Sequence, residues 1–169
     1  MSVIETSRLE LRELNCDDAA FILELLNEAD FIRYIGDKGV RTLQDARDYI
    51  LGGPMDSYRQ NGFGLYAACV RDGTPIGICG LVKREGLNDP DIGFALLSWH
   101  CAKGYAAEAA AAVLRHAREV LQLRRIVAIT VAENRNSIAV LEKIGLKFER
   151  MISLDEYSPE LKLFGLAST

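Results

Sequence analysis

A strand followed by a short loop and an alanine-rich helix is the part of this sequence best suited to chemistry. Residues Ile92–Leu97 have the apolar pattern of a strand, and the helix after them begins at Gly104. The first four N–H groups of a helix lack partners inside it, and the helix dipole makes that end positive. Because Gly104 and Ala106 leave the backbone open to close approach, the segment predicts a site for an oxyanion such as a pyrophosphate. Close packing of the helix on a sheet is the alternative explanation for these small residues.

The motifs of several other enzyme classes are absent. Gly62-Phe63-Gly64 lacks the third glycine of a dinucleotide-binding loop and leads into a strand. The sequence contains neither G-x-x-x-x-G-K-[ST] nor G-x-S-x-G, which disfavours NAD enzymes, P-loop NTPases and serine hydrolases. The four cysteines form no C-x-x-C pair and do not cluster with the two histidines. We therefore expect no metal site and no disulfide framework.

The composition is that of one globular domain. The chain has 169 residues, of which 49% are hydrophobic and 26% charged, so we expect a single domain over residues 1–169. Its net charge of −4 disfavours non-specific nucleic-acid binding, which needs a positive excess. No apolar run approaches the roughly 20 residues of a membrane span, and the N-terminus lacks a secretory signal pattern. We therefore expect a cytoplasmic protein without a membrane or nucleic-acid partner.

Hydrophobic periodicity predicts the elements that position the loop. The expected strands are Ser7–Leu14, Leu65–Val70, Ile76–Val82, Ile92–Leu97, Ile126–Val131, Leu146–Leu154 and Leu161–Leu166. The expected helices run from Asn15 or Asp17 to Glu28, from Thr42 to Leu51, from Gly104 to Leu121 and from Asn136 to Ile144, with short helical pieces in Ala29–Gly39 and Met55–Gln60. This order predicts an α/β (α+β) domain with a mixed sheet.

Three blocks of the sequence resemble the GNAT superfamily of N-acetyltransferases. Residues 92–109, IGFALLSWHCAKGYAAEA, are similar to the stretch I-G-Y-W-L-x-P-x-Y-W-G-K-G-Y-A-T-E-A of the branch that contains the ribosomal-protein N-terminal acetyltransferases. Residues 131–146, VAENRNSIAVLEKIGL, resemble that branch's N-x-x-S-x-x-V-L-E-K-x-G-F. Residues 5–12, ETSRLELR, resemble its T-x-R-L-x-L-R start. The blocks occur in the family's order, so the resemblance covers nearly the whole chain.

The resemblance implies a fold and a cofactor. In a GNAT-like fold, helices flank a central, mostly antiparallel sheet, and the parallel strands Ile92–Leu97 and Ile126–Val131 splay apart to hold acetyl-CoA. The family transfers the acetyl group to a primary amine by direct attack in a ternary complex and releases CoA. The cofactor-binding residues carried over by position are Phe94, Ala95, Leu96 and Leu97 along the pantetheine arm, Lys103, Gly104, Tyr105, Ala106 and Ala107 around the pyrophosphate, and Asn134 and Ser137.

The first of the three blocks departs from the family pattern at four positions, and two of them are Ser98 and His100, where the family usually has Pro and Tyr. Cys101 stands where the family usually has Gln, Arg or Trp, and Ala102 replaces the first glycine of G-K-G. Ala102 must therefore adopt a backbone angle that suits glycine better. Asn134 has an alternative explanation as a cap or turn before the last helix.

The catalytic candidates also follow from the resemblance. Many GNAT enzymes protonate the leaving thiolate with a tyrosine of the last helix, and that position is Leu141 here. Ser137 is the remaining hydroxyl, with a purely structural bond at the helix start as the alternative. Asp91, at the start of the cofactor strand, and Glu85, in the preceding loop, are candidate general bases, unless they are solvated loop charges. Tyr34, Trp99 and Tyr157 are candidates to line the acceptor groove, unless they belong to the core or ordinary surface.

The acceptor is expected to be an amine, favourably the N-terminal α-amine of a protein such as a ribosomal protein. An α-amine with a pKa of about 8 is deprotonated at little cost near neutral pH, whereas a lysine amine with a pKa of about 10.4 needs a strong base. The alternatives are a small-molecule amine (a polyamine, amino acid or drug) and a non-catalytic acyl-CoA-binding module. Either a monomer or a homodimer is compatible with the sequence.

Overall fold

Residues 2–166 are described by the computed structural model of the protein. Within them the strands are β1 (Ser2–Glu5), β2 (Leu9–Glu13), β3 (Leu65–Val70), β4 (Pro75–Val82), β5 (Asp91–Leu96), β6 (Val127–Thr130), β7 (Lys147–Ile152) and β8 (Leu161–Gly165). The helices are α1 (Ala19–Leu26), α2 (Ala29–Tyr34), α3 (Leu43–Gly52), α4 (Pro54–Asn61), α5 (Tyr105–Glu119) and α6 (Arg135–Lys143). The strands form one sheet in the order β1-β2-β3-β4-β5-β6-β8-β7.

The sheet is mixed and mostly antiparallel, which confirms the predicted fold class. Strands β5 and β6 are parallel, and Asp91 opposite Val127 is the one residue pair that joins them among the described residues. By contrast, β4 and β5 pair at six positions from Gly77–Leu96 to Val82–Asp91. The two parallel strands therefore separate after their first residues, as the resemblance implies, and leave a gap in the middle of the sheet.

Two apolar cores lie on opposite faces of this sheet. One core packs beneath α5 and includes Ile92, Ala110 and Leu141. The other packs beneath α1 and α3 and includes Ile22 and Ile50. Because successive residues of a strand point to opposite faces, β5 contributes Phe94 and Leu96 to the first core and Ala95 to the second, which Leu97, directly after the strand, joins as well. Both cores hold β5 in place beside the gap.

Local sequence signals account for several of the element ends. The side chain of Thr42 accepts a hydrogen bond from the N–H of Asp45, whose own side chain returns to the N–H of Thr42. This is the capping box that the sequence predicts at the start of α3. Asn15 and Asp18 form the same arrangement before a short 3₁₀ turn that leads into α1.

Three details differ from the sequence-based expectation. An additional strand, β1, precedes the first predicted one. Strand β2 begins at Leu9 rather than Ser7, because the N–H of Thr6 donates to the carbonyl of Leu9 and closes a turn. The long helix was predicted to run to Leu121, but α5 ends at Glu119, and Val120 just beyond it is 65% exposed.

Residues 2–166 contain neither a membrane-spanning helix nor a cluster of metal-ligating side chains. No helix in this range is long and apolar enough to cross a membrane. In the same residues, no group of three or more His, Cys, Asp or Glu side chains could hold a metal ion.

Candidate active site

The gap between β5 and β6 opens into a cavity of about 910 Å³. Its walls come from helices α2, α3 and α4 on one side of the sheet and from the first turn of α5 and most of α6 on the other. Eight of the predicted cofactor-binding residues line it: Phe94, Ala95, Leu96, Gly104, Ala106, Ala107, Asn134 and Ser137. Asp91, a catalytic candidate like Ser137, lines it as well. The structure thus brings residues of two separate sequence blocks, 92–109 and 131–146, to one cavity.

The backbone of β5 offers free polar groups along one side of the gap. The N–H of Leu97 donates to the carbonyl of Ile76 at 2.8 Å, so Leu97 pairs with β4. Hydrogen-bonding direction alternates along an antiparallel strand, and therefore Ala95 also faces β4 while Phe94 and Leu96 present their N–H and C=O groups to the gap. Leu97 itself is buried in the second core and does not line the cavity.

The loop before α5 has the backbone shape of an anion cradle. Gly104 precedes the helix with φ of +83°, and no side chain caps the first turn. The N–H groups of Tyr105, Ala106 and Ala107 therefore have no partner inside the helix. Ala102 has φ of +63°, in the left-handed region. The side chains of Lys103 and Tyr105 lie outside the cavity lining, so these two residues can contribute through their backbone alone.

The N-terminal segment holds this loop from the outside. The Nε of Arg8 is 2.7 Å from Oε1 of Glu108, and its Nη1 donates to the carbonyl of Lys103 at 3.0 Å. The Arg8 guanidinium also lies 4.4 Å from the centre of the Tyr105 ring. Thr6 donates to the second oxygen of Glu108 at 2.5 Å. Burial opposes ionisation of Glu108, but these hydrogen bonds keep its pKa below the ordinary value.

Thr6 and Arg8 belong to the first block of the resemblance, yet the sequence assigned them no role. Their match to the T-x-R-L pattern of the family is the sequence signal by which these two residues could have been found.

Asn134 and Ser137 form the start of α6. The Oδ1 of Asn134 accepts a hydrogen bond from the N–H of Ser137 at 3.2 Å, so Asn134 is the helix cap that the alternative explanation predicts. Its amide NH₂ group makes no hydrogen bond to another described residue, and Asn134 also lines the cavity. The hydroxyl of Ser137 likewise has no partner among residues 2–166. Leu141, one turn further along α6, is buried.

A buried ion pair lies at the other end of the cavity. The Nε of Arg84 donates to Oδ1 of Asp91 at 2.9 Å, and Asp91 is only 1% exposed. Burial raises the pKa of Asp91 to about 6, although Arg84 acts in the opposite direction. Asp91 is therefore a buried strand residue and not a solvated loop charge. Glu85 is exposed and lies outside the cavity lining.

The aromatic candidates separate into one at the cavity and two outside it. Tyr34 lines the cavity, whereas Trp99 and Tyr157 are 60% and 91% exposed and lie outside the lining. Tyr49 of α3 lines the cavity without having been predicted, as do Lys38 and Arg84. No local motif marks these three residues, because helix packing and loop paths bring them to the site.

The chain is similar to known acetyltransferases in sequence and in fold. The model of the family described as "Acetyltransferase (GNAT) domain" matches residues 8–147. An uncharacterized N-acetyltransferase of Bacillus subtilis, YnaD, is 31% identical over 147 residues, which cover 86% of this chain and 83% of the relative.

Two solved structures share this fold. An acetyltransferase from Agrobacterium tumefaciens superposes with a TM-score of 0.83 at 25% identity, over 98% of this chain and 94% of its own. RimL, a ribosomal L7/L12 alpha-N-protein acetyltransferase in complex with coenzyme A, has a TM-score of 0.85 at 17% identity, over 98% of this chain and 97% of its own.

Proposed function

Because the chain belongs to the GNAT family of acetyltransferases, we propose that it transfers the acetyl group of acetyl-CoA to the α-amine at the N-terminus of a protein. The observation that carries this proposal is the gap between β5 and β6, which leads from the free N–H groups of α5 to a buried carboxylate at Asp91. RimL, whose fold is similar, was crystallised with coenzyme A, which supports the choice of cofactor.

The residues around the gap fit acetyl-CoA. The N–H groups at the start of α5 suit its phosphates, since an uncapped helix end attracts oxyanions. The free backbone groups of Phe94 and Leu96 suit the amides of its pantetheine arm, in the manner of an added strand. The free NH₂ group of Asn134 is a further donor beside that arm. The cofactor supplies an activated acyl thioester, and the protein supplies binding and proton transfer.

We assign the general base to Asp91. Its pKa of about 6 leaves it ionised at neutral pH, and the bond from Arg84 fixes its orientation. A carboxylate with this pKa suits an α-amine, whose deprotonation near pH 7.4 costs under about 1 kcal/mol. A lysine amine would cost about 4 kcal/mol at the same pH, which demands a stronger base. The buried, paired carboxylate therefore favours an N-terminal acceptor.

Ser137 is the proposed hydrogen-bond donor to the leaving group. Its hydroxyl lines the cavity and has no partner among the described residues, so it is available for this role. The buried aliphatic side chain of Leu141 has no proton to offer.

The test is acetyl transfer to peptides, followed by mass spectrometry. The peptides carry different N-terminal residues, and the control peptide has a blocked N-terminus and an internal lysine. We expect one acetyl group on the free N-termini and none on the control. Acetylation of lysine or of polyamines instead would overturn the assignment of the acceptor. Binding of acetyl-CoA without transfer to any amine would favour a non-catalytic module.

The role of Ser137 needs a matched pair of variants. Ser137→Ala should lower kcat by about tenfold, the effect of losing one hydrogen bond of about 1.4 kcal/mol, and leave KM for acetyl-CoA unchanged. Ser98→Ala is the control, because Ser98 also lines the cavity but lies at the loop before α5. An unchanged kcat in Ser137→Ala would remove Ser137 from the mechanism.

A further inference from the structure

Two cationic side chains lie at the end of the cavity that Asp91 occupies. Arg84 follows β4, and Lys38 lies in the loop between α2 and α3; both line the cavity. Tyr49 of α3 belongs to the same wall. Lys38 is an exposed residue, yet partial desolvation, together with the nearby Arg84 charge, lowers its pKa. Burial raises the pKa of Tyr49, and the Arg84 charge opposes that rise. Lys38 and Tyr49 therefore both lie within electrostatic reach of Arg84.

Most hydrogen-bond donors of these two cations are unused. Arg84 donates to Asp91 through Nε, and its two Nη groups make no hydrogen bond to another residue of the described chain. A guanidinium carries four N–H bonds on those two nitrogens, in a fork that matches a carboxylate. Lys38 makes no ion pair with any carboxylate of residues 2–166. The Arg84 side chain is 33% exposed, so its free groups are accessible from the cavity.

The charges around this end of the cavity leave a positive excess. Asp91 balances one of the two cations. Asp56, which also lines the cavity, is already bonded to Arg59 at 3.1 Å and to Gln60 at 2.7 Å. Lys83 adds another positive charge, and its ammonium reaches the carbonyl of Asn88 at 3.4 Å.

The remaining acidic residues of the lining belong to the opposite end. Glu28 accepts a hydrogen bond from the N–H of Ser98 at 3.2 Å, beside the loop that leads to α5. Asp30 and Glu28 both contribute to the raised pKa of Cys101, after the larger effect of burial, which places Asp30 there too. Neither acid neutralises Arg84 or Lys38.

This positive region is distant from the anion cradle of α5. Asp91 and Leu97 are six residues apart on one extended segment, which corresponds to about 20 Å. One anion at the start of α5 and another beside Arg84 would therefore occupy opposite ends of the cavity. The second end is where the proposed base lies and where an acceptor amine has to arrive.

We propose that Arg84 and Lys38 form an anion subsite that selects acceptors carrying a carboxylate close to the reactive amine. The inference rests on the proposed function, because it needs an amine acceptor in this part of the cavity. Arg84 contacts Asp91 through Nε and would contact the acceptor through Nη. The acceptor's amine, at Asp91, and its carboxylate, at Arg84, would therefore be bound side by side. On a protein N-terminus the carboxylate is an acidic side chain in the first two positions. On a free amino acid it is the α-carboxylate.

The test compares matched acceptors that differ by one charge. The first pair is a tripeptide amide with serine first and glutamate second, and its counterpart with glutamine second. The second pair is L-serine and L-serinamide, which distinguishes an amino acid from a peptide acceptor. Both kcat/KM and calorimetric binding to the CoA-loaded protein are measured, so that an acceptor that binds without reacting still gives a result.

Lys38→Glu is the informative variant, because Lys38 is exposed and has no ion pair to break. In the wild type we expect the acidic member of at least one pair to be favoured about tenfold, as for a charge-assisted hydrogen bond. Lys38→Gln should reduce that ratio toward one, and Lys38→Glu should reverse it. Lys147→Gln, an exposed lysine of β7 outside the cavity lining, is the control and should keep the wild-type ratio.

Two results on acceptor preference would overturn the subsite. One is the absence of any preference for the acidic member, in rate and in binding, in both pairs. The other is a preference that Lys38→Glu leaves unchanged. If amines are acetylated without regard to charge, the proposed function stands and the subsite fails. If acetyl-CoA does not bind and no amine is acetylated, the proposed function fails too. A rise in KM for acetyl-CoA in Lys38→Glu would instead assign Lys38 to the cofactor and would also refute the subsite.

Discussion

As the proposed base, Asp91 must be ionised near neutral pH although it is buried. At 1% exposure its carboxylate has lost nearly all its hydration, which opposes ionisation. An unpaired buried charge is costly, and a single partner with good geometry reduces that cost without removing it. The 2.9 Å bond from Arg84 is such a partner. The outcome is a pKa of about 6, between that of a free carboxyl group and that of a fully desolvated one. This range suits a base that works near neutral pH.

The raised pKa of Asp91 predicts the direction in which the stability of the protein changes with pH. The folded protein holds the Asp91 proton up to about pH 6, whereas the unfolded chain loses it near the ordinary value of 3.8. The native state therefore binds more protons between these values, and this group adds stability as the pH falls. Relative to Asp91→Asn, the wild-type free energy of unfolding should rise by about 1 kcal/mol between pH 7 and pH 5. Urea denaturation of both proteins at the two pH values measures it, and an equal change in both would contradict the assignment.

The same residue makes a prediction for activity. We expect kcat/KM of the wild type to fall below about pH 6 as Asp91 becomes protonated. Asp91→Asn should be slower by roughly 100-fold at pH 7.5, the usual scale for loss of a general base. The pH profile of kcat/KM for Asp91→Asn should lack the inflection near pH 6. Glu85→Gln is the control, since Glu85 is exposed and outside the cavity lining. A wild-type profile in Asp91→Asn would exclude Asp91 as the base.

Ala102 offers a test of backbone strain in the cradle. An L-residue in the left-handed region costs about 1–2 kcal/mol, and Ala102 has φ of +63°. Ala102→Gly relieves this cost but also raises the conformational entropy of the unfolded chain. The net gain in the free energy of unfolding should therefore be below about 1 kcal/mol. Ala106→Gly, in the first turn of α5, should lose about 1 kcal/mol instead. Chemical denaturation checks these opposite signs, and destabilisation in Ala102→Gly would contradict the assigned backbone angle.

Sequence alone could predict the residues of the proposed phosphate cradle but not those of the proposed acceptor subsite. Gly104, Ala106 and Ala107 are contiguous and lie at a helix start, where the backbone itself makes the site. Lys38 and Arg84 come from two loops more than forty residues apart in the sequence. Their side chains reach the same cavity only once α2, α3 and β5 have packed. Such long-range placement has no local sequence signal.

Among the secondary-structure elements, those with strong local signals were predicted well. Strand β3 was predicted with the observed ends, Leu65–Val70, because turn residues bound it on both sides. The capping box of α3 predicted its start for a local reason as well. Strand β1 was missed, since an edge strand of four residues carries little periodicity. Strand order was out of reach of local patterns, because the neighbours of β6 are β5 and β8.

Arg8, which lies between β1 and β2, forms a clasp through its contacts with Glu108 and Lys103. This clasp links the β1 edge of the sheet to the loop before α5. Arg8 bonds to Glu108 of α5 and to the carbonyl of Lys103, one residue before Gly104. Arg8→Ala should therefore raise KM for acetyl-CoA by roughly fivefold, since a half-exposed ion pair and its ring contact are together worth about 1 kcal/mol. We expect kcat to change little, because Asp91 and Ser137 are untouched. Arg124→Ala, at an exposed residue outside the cavity lining, is the control. An unchanged KM in Arg8→Ala would mean that the loop holds its shape without the clasp.

On the scale of the whole molecule, the gap in the sheet is a structural weakness that a ligand can offset. Antiparallel pairing is continuous from β1 to β5 and from β6 through β8 to β7, but one residue pair joins the two halves among the described strands. A ligand bound between β5 and β6 would contact both halves. Binding to the native state alone stabilises a protein by about 2.7 kcal/mol when the ligand is at 100 times its Kd.

That linkage predicts a thermal shift specific to the cofactor. For a chain of this size, 2.7 kcal/mol corresponds to a rise in Tm of roughly 5–10 °C. Acetyl-CoA and CoA should both produce it, whereas ATP and NAD at the same concentration should not. Ala107→Glu should abolish the shift, because it places a negative charge among the N–H groups proposed to receive the phosphates. The same charge is favourable at a helix N-terminus, so the Tm without ligand should be preserved. Ala111→Glu, one turn further along α5 and outside the cavity lining, should keep the shift. A full shift in Ala107→Glu would mean that the phosphates bind elsewhere, and the cradle at the start of α5 would lose its assignment.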